Sequence, residues 1–204
     1  MLGPADVDQD YIASSKLLYL TGITPALSGS CLAACTKAAD LSRSAGLKIA
    51  FDMNIRPNLW LDQDPRKALL PFLHKADIIF TDISDTQMLM GEGNTAKAAQ
   101  KLMVGGASIV VMKGEQKKRC WPTQGRRSSG KGPSKCPLST RWGLGTFSGV
   151  SSCQGYLKGW KVQECLAAGS AAGPLVVTTR GDQENILTES EITDFLKALA
   201  KDDE

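Results

Sequence analysis

Apolar runs of strand length alternate with segments of helical spacing along the first 114 residues. The runs are KLLYLTG (16–22), LKIAFD (47–52), DIIFTD (77–82) and SIVVMKG (108–114). Each is near-continuously apolar, as a strand buried on both faces should be. SGSCLAACTKAADLSRSAG (28–46) follows the first run and predicts a helix. Leu32, Cys35, Ala38 and Ala39 form its stripe, Ser28 or Ser30 caps its start, and Gly46 follows its end. DPRKALLPFLHKA (64–76) predicts a helix with Pro65 in its first turn and Pro71 as an irregularity. DTQMLMG (85–91) predicts one or two turns closed by Gly91, and NTAKAAQKLMVGG (94–106) a helix capped by Asn94 or Thr95. This alternation implies a parallel sheet covered on both faces. Such sheets bind ligands beyond the carboxyl ends of their strands. Three of those ends carry polar residues, in FDMNIR, FTDISD and MKGE.

The pattern fails after 114. Residues 115–140 carry neither helical nor strand period. Order returns near 155, where GYLKGW ends one helix and KVQECLAAGSAAG (161–173) forms a second with small residues for close packing. Pro174 should end or kink that helix. LVVTTRGD (175–182) reads as an apolar stretch and turn. TESEITDFLKALAK (188–201) opens on a capping box of Thr188 and Glu191, with Ile192, Phe195 and Leu196 as its stripe.

Composition narrows the class. The chain has 204 residues, 42 % hydrophobic and 22 % charged, which suits one globular domain or a large piece of one. No apolar run reaches membrane-spanning length, and the start MLGPADVDQD is acidic, without a signal-peptide pattern. A cytoplasmic protein with no membrane partner is the expectation. Six cysteines form no C-x-x-C pair, and His74 is the one histidine. Cys31 and Cys35 share a helical face and read as buried thiols rather than a metal pair. The net charge of +3 conceals a segment, 115–135, with seven Lys/Arg and one Glu, a local +6. Its KKRCWPTQGRR stretch lacks a groove-reading element or RNA-binding motif, so a solvated, disordered loop is expected and no nucleic acid partner.

FDMNIRPNLW (51–60) resembles the PfkB (ribokinase-like) carbohydrate kinases, and among them the 2-keto-3-deoxygluconate kinase branch, which carries a similar D-x-N-x-R-x-x-L-W stretch after a central strand. LTGITPALS, ADIIFTDISDTQMLMG, GASIVVMKGE and the run from GYLKGW to TDFL follow that branch in order. The resemblance covers nearly the whole chain outside about 115–142. It implies an α/β, ribokinase-like fold with a mostly parallel sheet and helices on both faces. Residues 1–204 would be the C-terminal part of the kinase domain, without the family's N-terminal part and lid, and 115–142 an irregular insert. An open sheet edge would then invite aggregation, a homo-oligomer or another partner. The match lapses and returns abruptly over roughly 116–153, as an altered reading frame or misassigned exon would produce. Sequencing the transcript across that segment tests this expectation.

The activity implied by the resemblance is ATP-dependent phosphorylation of a sugar or sugar acid such as 2-keto-3-deoxygluconate, with ATP and Mg2+. Arg56 matches the Arg near the sugar acid, where a guanidinium suits a carboxylate or phosphate. The alternative is a surface Arg paired with Asp52 or Asp62. Asn54 matches the motif's Asn as a ligand or loop hydrogen-bonder. Asp52 matches its Asp, as a substrate contact or a fixer of the loop. Asp82 and Asp85 resemble the family's N-x-x-E motif, which organises Mg2+ and phosphate, with both positions changed to Asp. The alternative for Asp85 is a helix N-cap. Lys113 and Gly114 match the strand end bordering the nucleotide. Gly143 and Gly145 match the glycines of an anion hole at a helix N-terminus. Ser170 falls where many relatives carry Asn near the nucleotide, or is a small packing residue. The family's loop reads D-T-x-G-A-G-D. STRWGLGTFSG stands in its place here, with Thr146 where the catalytic Asp should be. No catalytic residue is assigned, and the other implied function is an inactive PfkB-like fragment that binds only nucleotide or a partner protein.

Overall fold

The computed structural model describes residues 2–60, 63–113, 119–122 and 146–176, together with 188, 190, 191, 193 and 194. They belong to two compact units, one holding 2–113 and 119–122, the other 146 onward.

In the first unit a 3-10 turn (Pro4–Asp6) and α1 (Gln9–Ser14) precede β1 (Leu17–Thr21). α2 (Ile23–Leu27) and α3 (Gly29–Ser44) lead to β2 (Lys48–Asp52). α4 (Pro57–Trp60) and α5 (Pro65–Lys75) lead to β3 (Ile78–Asp82). α6 (Ile83–Met90) and α7 (Thr95–Val104) lead to β4 (Ile109–Lys113), and β5 (Arg119–Pro122) follows. The strands lie in the order β1-β2-β3-β4-β5. The first four are parallel and the last is antiparallel to β4.

Side chains alternate between the two faces of a sheet. Ile49, Phe51, Ile79, Val110 and Met112 join Cys35, Ala39, Leu69, Phe72, Ala98 and Leu102 of α3, α5 and α7 in the main core. Phe51 stacks on Phe72 with ring centroids 5.5 Å apart. On the opposite face Ala50, Ile78, Phe80 and Val111 are buried too, so the central strands have both faces covered, as the near-continuous apolar runs require. The parallel register pairs Tyr19 with Ala50, Asp52 with Phe80, and Asp82 with Lys113. Tyr19, Asp52, Asp82 and Lys113 therefore share that second face.

The helix ends follow the capping chemistry of the sequence. Ser28 Oγ accepts from Cys31 N–H at 3.1 Å, and Asp64 accepts from Arg66 N–H at 3.0 Å ahead of Pro65. Asn94 Oδ1 accepts from the amides of Ala96 and Lys97. Each such cap stabilises its helix by about 1 kcal/mol. Gly91 ends α6 at φ 65°, a conformation that only glycine adopts without strain, and donates to Gln87 C=O at 3.0 Å. In the second unit α8 (Thr146–Leu157) packs on α9 (Val162–Val176). Thr188 and Glu191 form the reciprocal box: Thr188 N–H donates to Glu191 Oε2 at 2.7 Å and Glu191 N–H to Thr188 Oγ1 at 3.4 Å.

Two expectations are corrected and a third is narrowed. The 115–140 stretch, expected to lack strand character, contributes Arg119–Pro122 to the sheet. Four residues carry no readable period, and the ladder on β4 supplies what the segment's own pattern does not. α6 begins at Ile83 rather than at Asp85, because Asp82 provides the cap. α9 runs to Val176, two residues past Pro174, so of the two outcomes expected of that proline, an end or a kink, it does not end the helix. The remainder of the basic 115–135 segment lies outside the described residues, as do 177–187, Ile192, Phe195 and Leu196.

Cys31, Cys35, Cys153 and Cys165 are buried thiols. Burial, with Cys31 alongside, pushes the Cys35 thiol up to about 11, which keeps it protonated and inert. Among the described residues no cluster of three or more His, Cys, Asp or Glu could hold a metal. None of their helices is long and apolar enough to cross a membrane.

One glycine fixes how β1 meets β2. A Cβ on Gly22 would lie 2.0 Å from Met53 C=O, and Gly22 N–H donates to Asp52 C=O at 2.9 Å. Gly22→Ala must push the β1–α2 turn off the end of β2. The expected loss is about 1–3 kcal/mol or more, read from the urea midpoint.

Candidate functional site

The carboxyl ends of β2, β3 and β4 bring Asp52, Asp82 and Lys113 together. Lys113 Nζ reaches across the end of the intervening β3 and donates to Asp52 Oδ1 at 2.5 Å. Asp52 is 1 % exposed and Lys113 14 %. Tyr19 Oη donates to the other Asp52 oxygen at 3.3 Å. Burial pushes the Asp52 carboxyl above its ordinary range, and the Lys113 ammonium and Tyr19 hydroxyl pull it back. The partner of Asp52 is thus Lys113, not Arg56. Spacing offers no hint of this, because the two residues are 61 apart. Nor does the sequence single out Tyr19. Only the strand register puts its ring on the face that carries Asp52.

Asp82 and Asp85 do different work at the start of α6. Asp82 Oδ1 accepts from Asp85 N–H at 2.8 Å and from Ser84 Oγ at 2.6 Å. Asp85, expected as a candidate cap, instead points inward and is 4 % exposed. Its Oδ1 accepts from Ile55 N–H at 3.2 Å, while its Oδ2 is buried without a partner among the described residues. Burial first, and then the charge of Asp82, push the Asp85 carboxyl up to about 7. Between pH 4 and pH 7 the folded chain therefore holds a proton that the unfolded chain, with an ordinary value of 3.8, releases. Stability conferred by Asp85 is fully present below about pH 4 and is lost as pH rises toward 7. Asp85→Asn, which cannot ionise, is expected to flatten the melting temperature over that window. Melts of both proteins from pH 4 to pH 8 check this.

The loop leaving β2 carries the remaining candidates. Met53 N–H donates to Phe80 C=O at 2.9 Å, and Asn54 follows at φ 36° in the left-handed region. Asn tolerates that region better than most residues. Asn54 is half-buried, and Arg56 is exposed with no ion pair among the described residues. Asp62, its other expected partner, lies outside them, as do Gly114, Gly143 and Gly145. In the second unit Ser170 is buried, and its hydroxyl donates to Leu166 C=O at 2.7 Å, one turn back in α9.

The match to known proteins accords with this arrangement. The family model for pfkB family carbohydrate kinase covers residues 2–117, over half of the chain and all four parallel strands. The chain belongs to the pfkB carbohydrate kinase family. A 2-dehydro-3-deoxygluconokinase of Thermoproteus tenax is 34% identical over 201 residues, covering 97% of this chain and 60% of that protein. A 5-dehydro-2-deoxygluconokinase of Bacillus licheniformis is 27% identical, covering 97% of this chain and 61% of that protein. A solved E. coli structure, assigned as a Ribokinase II in complex with ATP and Mg2+, superposes with a TM-score of 0.79 at 21% identity, over 97% of this chain and 63% of that one. That likeness bears out the ribokinase-like fold. The chain spans about 60% of the length of the curated relatives it matches.

Proposed function

We propose that the chain phosphorylates a sugar acid of the 2-dehydro-3-deoxygluconate class, with ATP as phosphoryl donor. The reading is carried by Arg56, an exposed guanidinium without an ion pair among the described residues, placed just beyond the carboxyl end of β2 in a pfkB-family chain. A guanidinium grips a planar carboxylate through two parallel hydrogen bonds, which separates a sugar acid from a neutral sugar. Asn54 serves a sugar hydroxyl. Asp52, neutralised by Lys113, holds the strand ends in place rather than meeting the ligand.

Asp82 and Asp85 fit a divalent cation. Each has Oδ1 engaged within the protein, and Asp85 Oδ2 is buried without a partner among the described residues. Two hard carboxylates suit Mg2+, which takes one or two of them beside waters and phosphate oxygens. The cation would neutralise charge on the phosphates. Gly114, Gly143 and Gly145 are assigned by family order to the nucleotide phosphates, Lys113 to fixing the strand end beside them, and Ser170 to helix packing.

The test is calorimetric titration of the full chain with 2-dehydro-3-deoxygluconate and with a neutral ketose. Binding of the acid alone is expected, and Arg56→Ala should weaken it by about 10- to 100-fold, the worth of a hydrogen-bonded charge pair. Equal affinity for acid and neutral sugar would contradict the reading. A second reading, nucleotide binding without turnover, is favoured by Thr146 at the position where the family's catalytic Asp is expected. Binding of ATP with no sugar-dependent ADP release supports that second reading.

A further inference from the structure

We propose that Asp85 is a positioning residue for the loop bearing Asn54 and Arg56, acting through the backbone amide of Ile55. The inference rests on the sugar-acid reading for its functional consequence, but its structural part stands apart from it.

The loop from Met53 to Arg56 has left β2, and two amide hydrogen bonds pin it. Met53 N–H donates to Phe80 C=O, and Ile55 N–H donates to Asp85 Oδ1 across 30 residues of sequence. Between those points Asn54 holds a positive φ of 36°, a conformation that persists only where its surroundings enforce it. Ile55 and Asp85 are 5 % and 4 % exposed, so water does not compete readily for the bond. Asp85 is itself held firmly, because its own N–H donates to the Asp82 cap in the first turn of α6. Arg56 comes next in the chain. Its side chain is exposed and has no ion pair among the described residues, so what the protein fixes is where its backbone leaves the loop, through Ile55 on one side and the bond from Leu59 N–H to Arg56 C=O at 2.9 Å on the other. One carboxylate oxygen of Asp85 thereby joins the turn bearing the candidate cation carboxylates to the loop bearing the candidate sugar-acid contacts.

The arrangement predicts a particular order among variants. Asp85→Asn keeps an oxygen that can accept from Ile55 N–H, and Asp85→Ala does not. Amide hydrogen exchange on the full chain reads this bond directly, with the Val110 amide in the core of β4 as the control for global stability. In Asp85→Ala the Ile55 amide is expected to exchange about 10-fold faster or more, with Val110 unchanged. In Asp85→Asn it should stay near the wild-type rate. Affinity for 2-dehydro-3-deoxygluconate in the absence of ATP should follow the same order. The Ala substitution should weaken binding in the wild-type background but not further in a background with Asn54→Gly and Arg56→Ala together. Ile55 protection unchanged in Asp85→Ala overturns the proposal. So does equal loss in the Asn and Ala variants, or an Ala effect on affinity that persists in full when both Asn54 and Arg56 are replaced. Should wild type bind no sugar acid while Asp85→Ala still frees Ile55, the sugar-acid reading falls and the anchor remains.

Discussion

Thr146→Asp is expected to raise sugar-dependent ADP release by about 10²–10⁴-fold, the usual contribution of a positioned acid–base group. Moving a phosphoryl group to a hydroxyl requires that the hydroxyl be oriented and its proton accepted. A threonine hydroxyl cannot accept that proton at neutral pH. The acids nearest in sequence are Glu115 and Glu164, both far along the chain from the G-x-G turn. α8 begins at Thr146, so a carboxylate introduced there occupies the first turn of a helix. The helix dipole stabilises a negative charge at that point, and the substitution should therefore not unsettle the fold. A coupled ADP-release assay with 2-dehydro-3-deoxygluconate checks the gain. An unchanged rate would mean that position 146 is not where the chain lacks its acid.

Lys113→Met is expected to cost about 3–5 kcal/mol of stability, because it leaves the Asp52 carboxylate buried and without its counter-charge. The substitution removes the ammonium that opposes the effect of burial on Asp52, so the carboxyl moves further upward from an already raised position. The sign follows: the loss is smallest at low pH, where Asp52 is protonated in both states, and grows as pH rises above the ordinary carboxylate range. Asp52→Asn in the Lys113→Met background removes the stranded charge and should recover most of the loss. Urea unfolding of the two single variants and the double variant at pH 5 and pH 8 measures this coupling.

Much of the fold is legible in the sequence because local signals agree with one another. Four apolar runs, caps at Ser28 and Asn94, Pro65 in the first turn of α5, and glycine at the end of α6 place most of the elements in the first unit. What the sequence hides is short or non-local. α2 and α4 have five and four residues, too few to display a helical period. β5 is a strand by virtue of its neighbour β4. At the site, the chemistry-bearing residues are visible as polar endings to apolar strands, but their partners are not. The Lys113–Asp52 pair follows from strand order and register, which place both residues on one face beside Asp82. By sequence alone Asp85 reads as a cap or a cation ligand. Its bond to Ile55 depends on the path of a loop with a left-handed residue at Asn54, for which the sequence offers only the identity of that Asn.

The most direct measurement is ADP release by the full chain with ATP and Mg2+, with and without 2-dehydro-3-deoxygluconate, in wild type, Thr146→Asp and Arg56→Ala. The account predicts release that depends on the sugar acid, slow in wild type, faster in Thr146→Asp and lower by about 10- to 100-fold in Arg56→Ala at limiting sugar acid. Release that ignores the sugar acid in both wild type and Thr146→Asp would contradict it.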